Sequence, residues 1–310
     1  MTNYIIRRLV IAFITLMLSV IGVGLLIHIV PGDPVMVMLG KNGGSATPEQ
    51  IENMRRVLGL DKPVWLQTLN YVKGVLSGDM GQSMFTDQPV GKTLFNVLPA
   101  TLALAFSAMV VAVGVGLPLG FFAAYKHNTW VDNILMLVAV LGVSIPQFWL
   151  GLILLLFFSL TLGWLPVAGD DYRSLILPAI TLGVTFSAIV ARMTRSSMIE
   201  VFSEDFMRTA RAKGLTQRQT LWRHVLRNTM IPVVTVMGLQ FANLLAGTIV
   251  VESVFALPGI GRLILQSISN RDVIVVRDIV TLLVGMVVVI NFVIDILYAV
   301  IDPRLRAKDV

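Results

Sequence analysis

The sequence predicts an all-α polytopic membrane protein with about six transmembrane helices, and three observations lead there. Of its 310 residues, 56% are hydrophobic and 14% charged, with a mean hydropathy of +0.82, far outside the range of water-soluble chains. Six windows are long and apolar enough to cross about 30 Å of hydrocarbon, which takes roughly 20 helical residues. Lysine and arginine gather in alternate connections. There is no cysteine, which excludes disulfides and thiolate chemistry. His28, His127 and His224 are scattered, and no HExxH spacing exists, so no metal site is expected. The net charge of +6 lies largely beside the spans, where topology accounts for it without a nucleic-acid partner.

The first window, Leu9 to Val30, follows Arg7 and Arg8. Its apolar run is followed by Pro31-Gly32-Asp33 rather than an Ala-x-Ala site, so an uncleaved span is expected. Residues 31–97 are too many for a connector and should fold. Thr47-Pro48-Glu49-Gln50 has the form of a capping box, with Ile51, Met54 and Leu58 at helical spacing before Gly59. A second helix is expected from Trp65, Leu69, Val72 and Leu76, ending near Gly78. Further spans are expected at Leu98–Tyr125, Ile134–Leu162, Leu175–Arg195, Met230–Val251 and Ile279–Ile301. The domain scheme is therefore a first span with its N-terminus (1–30), an outer region (31–97), a five-helix core (98–301) containing an inner loop (203–229), and a tail (302–310).

Placing Met1–Arg8 in the cytoplasm puts Lys126, Arg192, Arg195, the inner loop and Arg304, Arg306 and Lys308 on the same side. The short outer loops then hold only Arg173, Arg262, Arg271 and Arg277. Both termini are expected to be cytoplasmic.

Within the spans, Gly116 and Gly120 form a small-xxx-small pair, beside Gly114 and Pro118, which suits close helix packing. Pro146, in Ser144-Ile145-Pro146-Gln147, interrupts the third span and predicts a kink. It either lines a pathway or serves bundle packing. Gln240 and Asn243, at i and i+3, share a face, as do Asn291 and Asp295 at i and i+4. Gln240 and Asn243 are candidates to line a translocation path, with interhelical hydrogen bonding as the other reading. An interhelical pair is the reading for Asp295.

The inner loop carries six Lys/Arg against two acids from Ser203 to Thr229. It reads as two short helices about a glycine. Ser203 is placed to cap the first, and Gly214 to end it at positive φ with Leu215 following. Thr216 and Gln219 form a capping box for the second, whose apolar stripe is Leu221, Trp222, Val225 and Leu226.

This loop resembles the EAA loop of binding-protein-dependent ABC importer permeases. Arg-Thr-Ala-Arg-Ala-Lys-Gly at 208–214 and His-x-Leu-Arg-Asn-x-x-Ile-Pro at 224–232 resemble the peptide and nickel branch. Ala210, Gly214 and Leu226 match the general pattern, whereas Arg208, Thr209, His224 and Arg227 stand where Glu, Ala, Ile and Pro would be. Pro31-Gly32-Asp33-Pro34, Leu58-Gly59-Leu60-Asp61, Gly78-Asp79-Met80-Gly81, Val251-Glu252-Ser253-Val254-Phe255, Leu257-Pro258-Gly259-Ile260-Gly261 and Asp302-Pro303-Arg304 extend the likeness along the chain.

The resemblance implies a type I importer permease fold in a bacterial inner membrane and half of a pathway for peptides, glutathione-like solutes or nickel chelates. It also implies a second permease, two cytoplasmic ATPases and a periplasmic binding protein. Arg208, Thr209, Ala210, Arg211, Ala212, Lys213, Gly214 and Leu215 would form the ATPase-coupling element. Residues 31–97 would be a cap on the spans or a surface for the binding protein. Gly91-Lys92-Thr93 ends like a P-loop, but Thr86 stands where its first glycine belongs. No catalytic residue and no cofactor is expected in this chain, with ATP and Mg held by the partners. A secondary transporter would call for repeated halves or midplane carboxylates. A DNA-binding regulator would need a third helix around the basic pair.

Overall fold

The computed structural model describes residues 2–26, 35, 47–57, 59–169 and 171–301. The expectations for His28, Pro31-Gly32-Asp33-Pro34, Leu58 and the 302–310 tail fall outside them. Twelve α-helices are used below: α1 Thr2–Leu26, α2 Pro48–Val57, α3 Val64–Ser77, α4 Val90–Tyr125, α5 Trp130–Ser144, α6 Gln147–Leu154, α7 Ile176–Ser203, α8 Asp205–Ala212, α9 Gln217–Thr220, α10 Leu226–Val254, α11 Ile260–Ser269 and α12 Val273–Ile301. A π-helical segment, Leu155–Thr161, continues α6, and another, Leu221–Val225, joins α9 to α10. Among the described residues five segments, from α1, α4, α7 with its preceding turn, α10 and α12, are long and apolar enough to cross a membrane. A sixth span exists if the bent pair α5–α6 counts as one.

The break expected at Pro146 is present and sharper than a kink within one helix, since two helices meet there at 97°. Ile145 takes φ −81°, ψ 124°, the extended conformation that a following proline imposes, and Pro146 has no N–H to carry the α5 hydrogen-bond ladder onward.

The chain forms two compact units. One comprises residues 2–99 and 258–292. Its core gathers Val90, Leu94, Ile260, Val275 and Ile279. Helices α2 and α3 end as their glycines predict. Gly59 and Gly78 sit at φ 67° and 79°. Leu60 N–H donates to Arg55 O and Gly59 N–H to Arg56 O, while Asp79 N–H donates to Gly74 O and Gly78 N–H to Val75 O. Both are Schellman closures, which a residue with a Cβ would strain. The Thr47–Gln50 capping box closes reciprocally at 3.0 and 3.3 Å.

The expected apolar stripe of α3 is turned outward. Trp65, Leu69 and Leu76 are exposed, and the buried side chains are Thr68 and Tyr71. On the buried face Tyr71 makes the polar contacts described below. Two further corrections concern Pro258 to Arg277. The turn at Pro258-Gly259 leads into an amphipathic helix, α11. Arg262 and Arg277, expected in loops, lie in α11 and α12.

The other unit comprises residues 100–257 and those from 293 onward, and α7 is its most buried span. Around it, Leu104, Ala108, Leu182, Phe186, Leu244, Val251 and Phe255 make one apolar core. Glycines allow α4 and α7 to approach closely. A Cβ on Gly116 would stand 2.6 Å from Ser187 O, and one on Gly183 would stand 2.6 Å from Val111 Cβ. On Gly120 it would collide with Ala191 O. This is the close packing expected of the Gly116/Gly120 pair, with Gly183 completing it from the facing helix.

Candidate functional site

The basic loop is built on a small apolar base. Met207 of α8, together with Leu221 and Val225 of the π segment, is buried with Ala124 of α4 and Met198 of α7. Phe121, Ile199, Phe202 and Phe206 pack around them. Gly214 has φ 75°, as its place after the helix requires, and the Thr216–Gln219 box closes at 3.0 and 3.3 Å. Two details differ from the sequence reading. Ser203 does not cap α8: it is the last residue of α7, and its hydroxyl donates to Glu200 O. The reversal falls at Glu204, which is extended at φ −68°, ψ 146°. Trp222 is 66% exposed and leaves the stripe, because burial at i and i+4 is already met by Leu221 and Val225.

Arg208, Thr209, Ala210, Arg211 and Ala212 therefore lie on α8. Lys213, Gly214 and Leu215 form the reversal between two capped helices. Thr209 and Ala212 are exposed, as are Lys213 and Gly214, so this corner is presented outward from its base. The second helix is not a separate element, since residues 217–254 run through α9, the π segment and α10. The loop is thereby continuous in backbone with a span.

On that span, Asn243 Nδ2 donates to Gln240 Oε1 at 3.2 Å. Pro146 is at the α5–α6 break, and the next residue, Gln147, lies against α10: a Cβ on Gly247 would be 3.7 Å from Gln147 Oε1. Positions 240, 243 and 247 follow one face of α10, so the break and the amide pair share a neighbourhood. Gln147 was named only as part of the Pro146 motif and not as a candidate for the path. Its signal was an amide beside a proline within an apolar run.

An ion pair and a buried carboxylate were also missed. Arg195 of α7 grips Asp132 of α5 with Nε at 2.6 Å and Nη2 at 2.7 Å, and His127 Nδ1 lies 3.3 Å from both partners. Asp132 is 1% exposed. Glu252, wholly buried, accepts the Thr101 hydroxyl at 2.7 Å.

In the other unit, Arg277 lies 3.8 Å over the ring of Tyr71 and donates from Nε to Asp278 at 3.1 Å. The Tyr71 hydroxyl is 2.5 Å from Thr281 Oγ1. Burial, reinforced by the Asp278 charge, pushes the Tyr71 phenol up to about 12, so it stays neutral at physiological pH. Nearby, Asp272 accepts from the Ser83 hydroxyl and from Phe85 N–H.

Against this geometry the comparisons are decisive. The family described as "Binding-protein-dependent transport system inner membrane component" matches residues 116–307. The chain belongs to that family. Its companion N-terminal family, "Binding-prot-dependent transport system membrane comp, N-term", matches residues 1–105. The glutathione transport system permease protein GsiC of Escherichia coli (strain K12) and that of Salmonella typhi are each 44% identical to this chain over 309 residues, covering 99% of it and all of the relative. Two solved structures of the MetNI methionine ABC transporter in inward-facing conformations share the fold. At 20% and 19% identity, their TM-scores are 0.57 and 0.60 over 69% of this chain and 99% of theirs. The protein is thus an integral inner-membrane permease of the ABC importer class, working with ATPase and binding-protein partners.

Proposed function

We propose that this permease forms half of a path by which peptides or glutathione-like solutes enter the cytoplasm. The full-length 44% identity to glutathione permeases carries the reading. A second, homologous permease supplies the other half, two ATPase subunits bind ATP and Mg and hydrolyse the nucleotide, and a periplasmic binding protein delivers the solute. Residues 208–215 form the coupling element, and the termini are cytoplasmic with residues 31–97 outside. The exposed, capped corner at Gly214 and its continuity with α10 support the coupling role, because a rigid corner transmits displacement without absorbing it. Gln240 and Asn243, with the Pro146 break beside them, line the path.

The test is uptake of labelled glutathione and of dialanine by vesicles containing the assembled transporter. ATP-dependent accumulation of either supports the reading, and accumulation of neither overturns it. Gln240→Leu and Asn243→Leu should each lower uptake with assembly intact. Uptake that falls only in step with assembly would make the pair an interhelical joint. Orientation is read from a cysteine at Gln50, which should react with an impermeant thiol reagent before the inner membrane is opened.

A further inference from the structure

The unit formed by residues 2–99 and 258–292 contains a cavity of about 530 Å³ walled by α1, α3, α12 and the turn after Gly78. We propose that this cavity binds a small carboxylate-bearing solute, with Arg277 as the carboxylate receptor.

Arg277 has five N–H donors. Nε is held by Asp278 at 3.1 Å, and one face of the guanidinium is covered by the Tyr71 ring. Stacking occupies a face and leaves the edge free. Among the described residues, no hydrogen-bond acceptor is taken by the Nη donors, and Arg277 lines the cavity. The side chain is only 18% exposed. Held by a ring and a carboxylate, it has already lost its rotamer freedom, so receiving an anion costs it little further ordering. A planar fork with a free edge suits a carboxylate, which it can bind in bidentate fashion.

The rest of the wall narrows the class. Asn70 and Gln82 offer amides, and Asp79 contributes a carboxylate whose Oδ1 accepts from Gly81 N–H at 3.0 Å. A wall with one cation and one anion suits a zwitterion better than a phosphate, which Asp79 would repel. The volume falls in the range of about 300–1,000 Å³ typical of small-molecule sites, the size of a short peptide. The choice of a peptide probe rests on the function proposed above.

The experiment uses the full chain, purified into nanodiscs, with dialanine and dialanine amide followed by saturation-transfer NMR. Dialanine should bind, and converting its carboxylate to the amide should weaken binding at least tenfold. R277Q should weaken dialanine at least tenfold. Because that change strips Asp278 of its cation, Asn70→Trp provides a second variant. It fills the cavity from an exposed lining position, leaves the buried cluster intact, and should also abolish binding. The proposal is overturned if dialanine does not bind, if it and its amide bind equally, or if Asn70→Trp binds like the parent. Uptake by the assembled transporter is measured in parallel. Peptide uptake without binding here refutes the cavity alone, whereas binding here without peptide uptake refutes the functional reading alone.

Discussion

Helix α7 is held in two different ways along its length. In its apolar stretch it meets α4 through glycines, Gly183 from its own side and Gly116 and Gly120 from the other. Toward the end that carries the basic loop, it meets α5 through the Arg195–Asp132 pair. In hydrocarbon, lipid competes equally well for apolar surface, so association rests on close van der Waals approach that only small residues permit. Near the end of a span the cost of a charge falls, and a bidentate ion pair can fix the direction of the chain as it leaves the bundle. Shape fixes the middle of α7, and charge fixes its exit.

The sharpest way to break this contrast is to remove one charge. Arg195→Met leaves a carboxylate that is 1% exposed without its cation, which should cost about 3 kcal/mol or more. Loss of folded protein from the membrane, or a large fall in detergent thermal stability, is the expected result. Asp132→Leu combined with Arg195→Met should recover most of that stability, because replacing both members of a buried pair by apolar side chains is often nearly neutral. If the double variant is as unstable as the single one, the pair does more than join two helices.

The glycine seam should respond to bulk instead. Gly116→Leu drives a side chain into Ser187 and Val190 and should cost roughly 1–3 kcal/mol. Gly114→Leu, two positions away with nothing within 4 Å of its Cβ, should change stability by less than about 0.5 kcal/mol. Equal effects at the two positions would mean that residue type, not the α4–α7 approach, decides.

The smallest effect is expected at the loop beyond Arg195. Gly214→Val places a β-branched residue at φ 75°, which costs about 1–2 kcal/mol locally. Among the described residues nothing lies within 4 Å of a Cβ there, so backbone strain is the expected cause. Membrane insertion should be unchanged while solute-stimulated ATP hydrolysis falls, and Gly214→Asn, which tolerates this conformation, should retain most of the activity. Wild-type stimulation in the valine variant would remove the corner from the coupling path.

How much could be read in advance follows from the range of each interaction. Caps and turns were legible because their partners are three to five residues apart or the residue itself sets the turn: Thr47 with Gln50, Thr216 with Gln219, and the glycines at 59, 78 and 214. Spans were legible because bilayer thickness sets their length. The capping of α8 was misplaced because a serine at the end of a long helix can turn back on its own carbonyls, as Ser203 does on Glu200.

The sequence by itself determined the class of protein, most of the helices, the glycine pair on α4 and the capped corner at Gly214, all of which depend on local chemistry or on overall apolarity. Tertiary structure alone decided which face of α3 is buried, that Gln147 comes beside α10, and that Arg195 finds Asp132 and Arg277 finds Tyr71. Those outcomes rest on side chains far apart in sequence, up to 206 positions for the last pair. Periodicity shows that a helix has two faces, and only the partner across the gap determines which of them is covered.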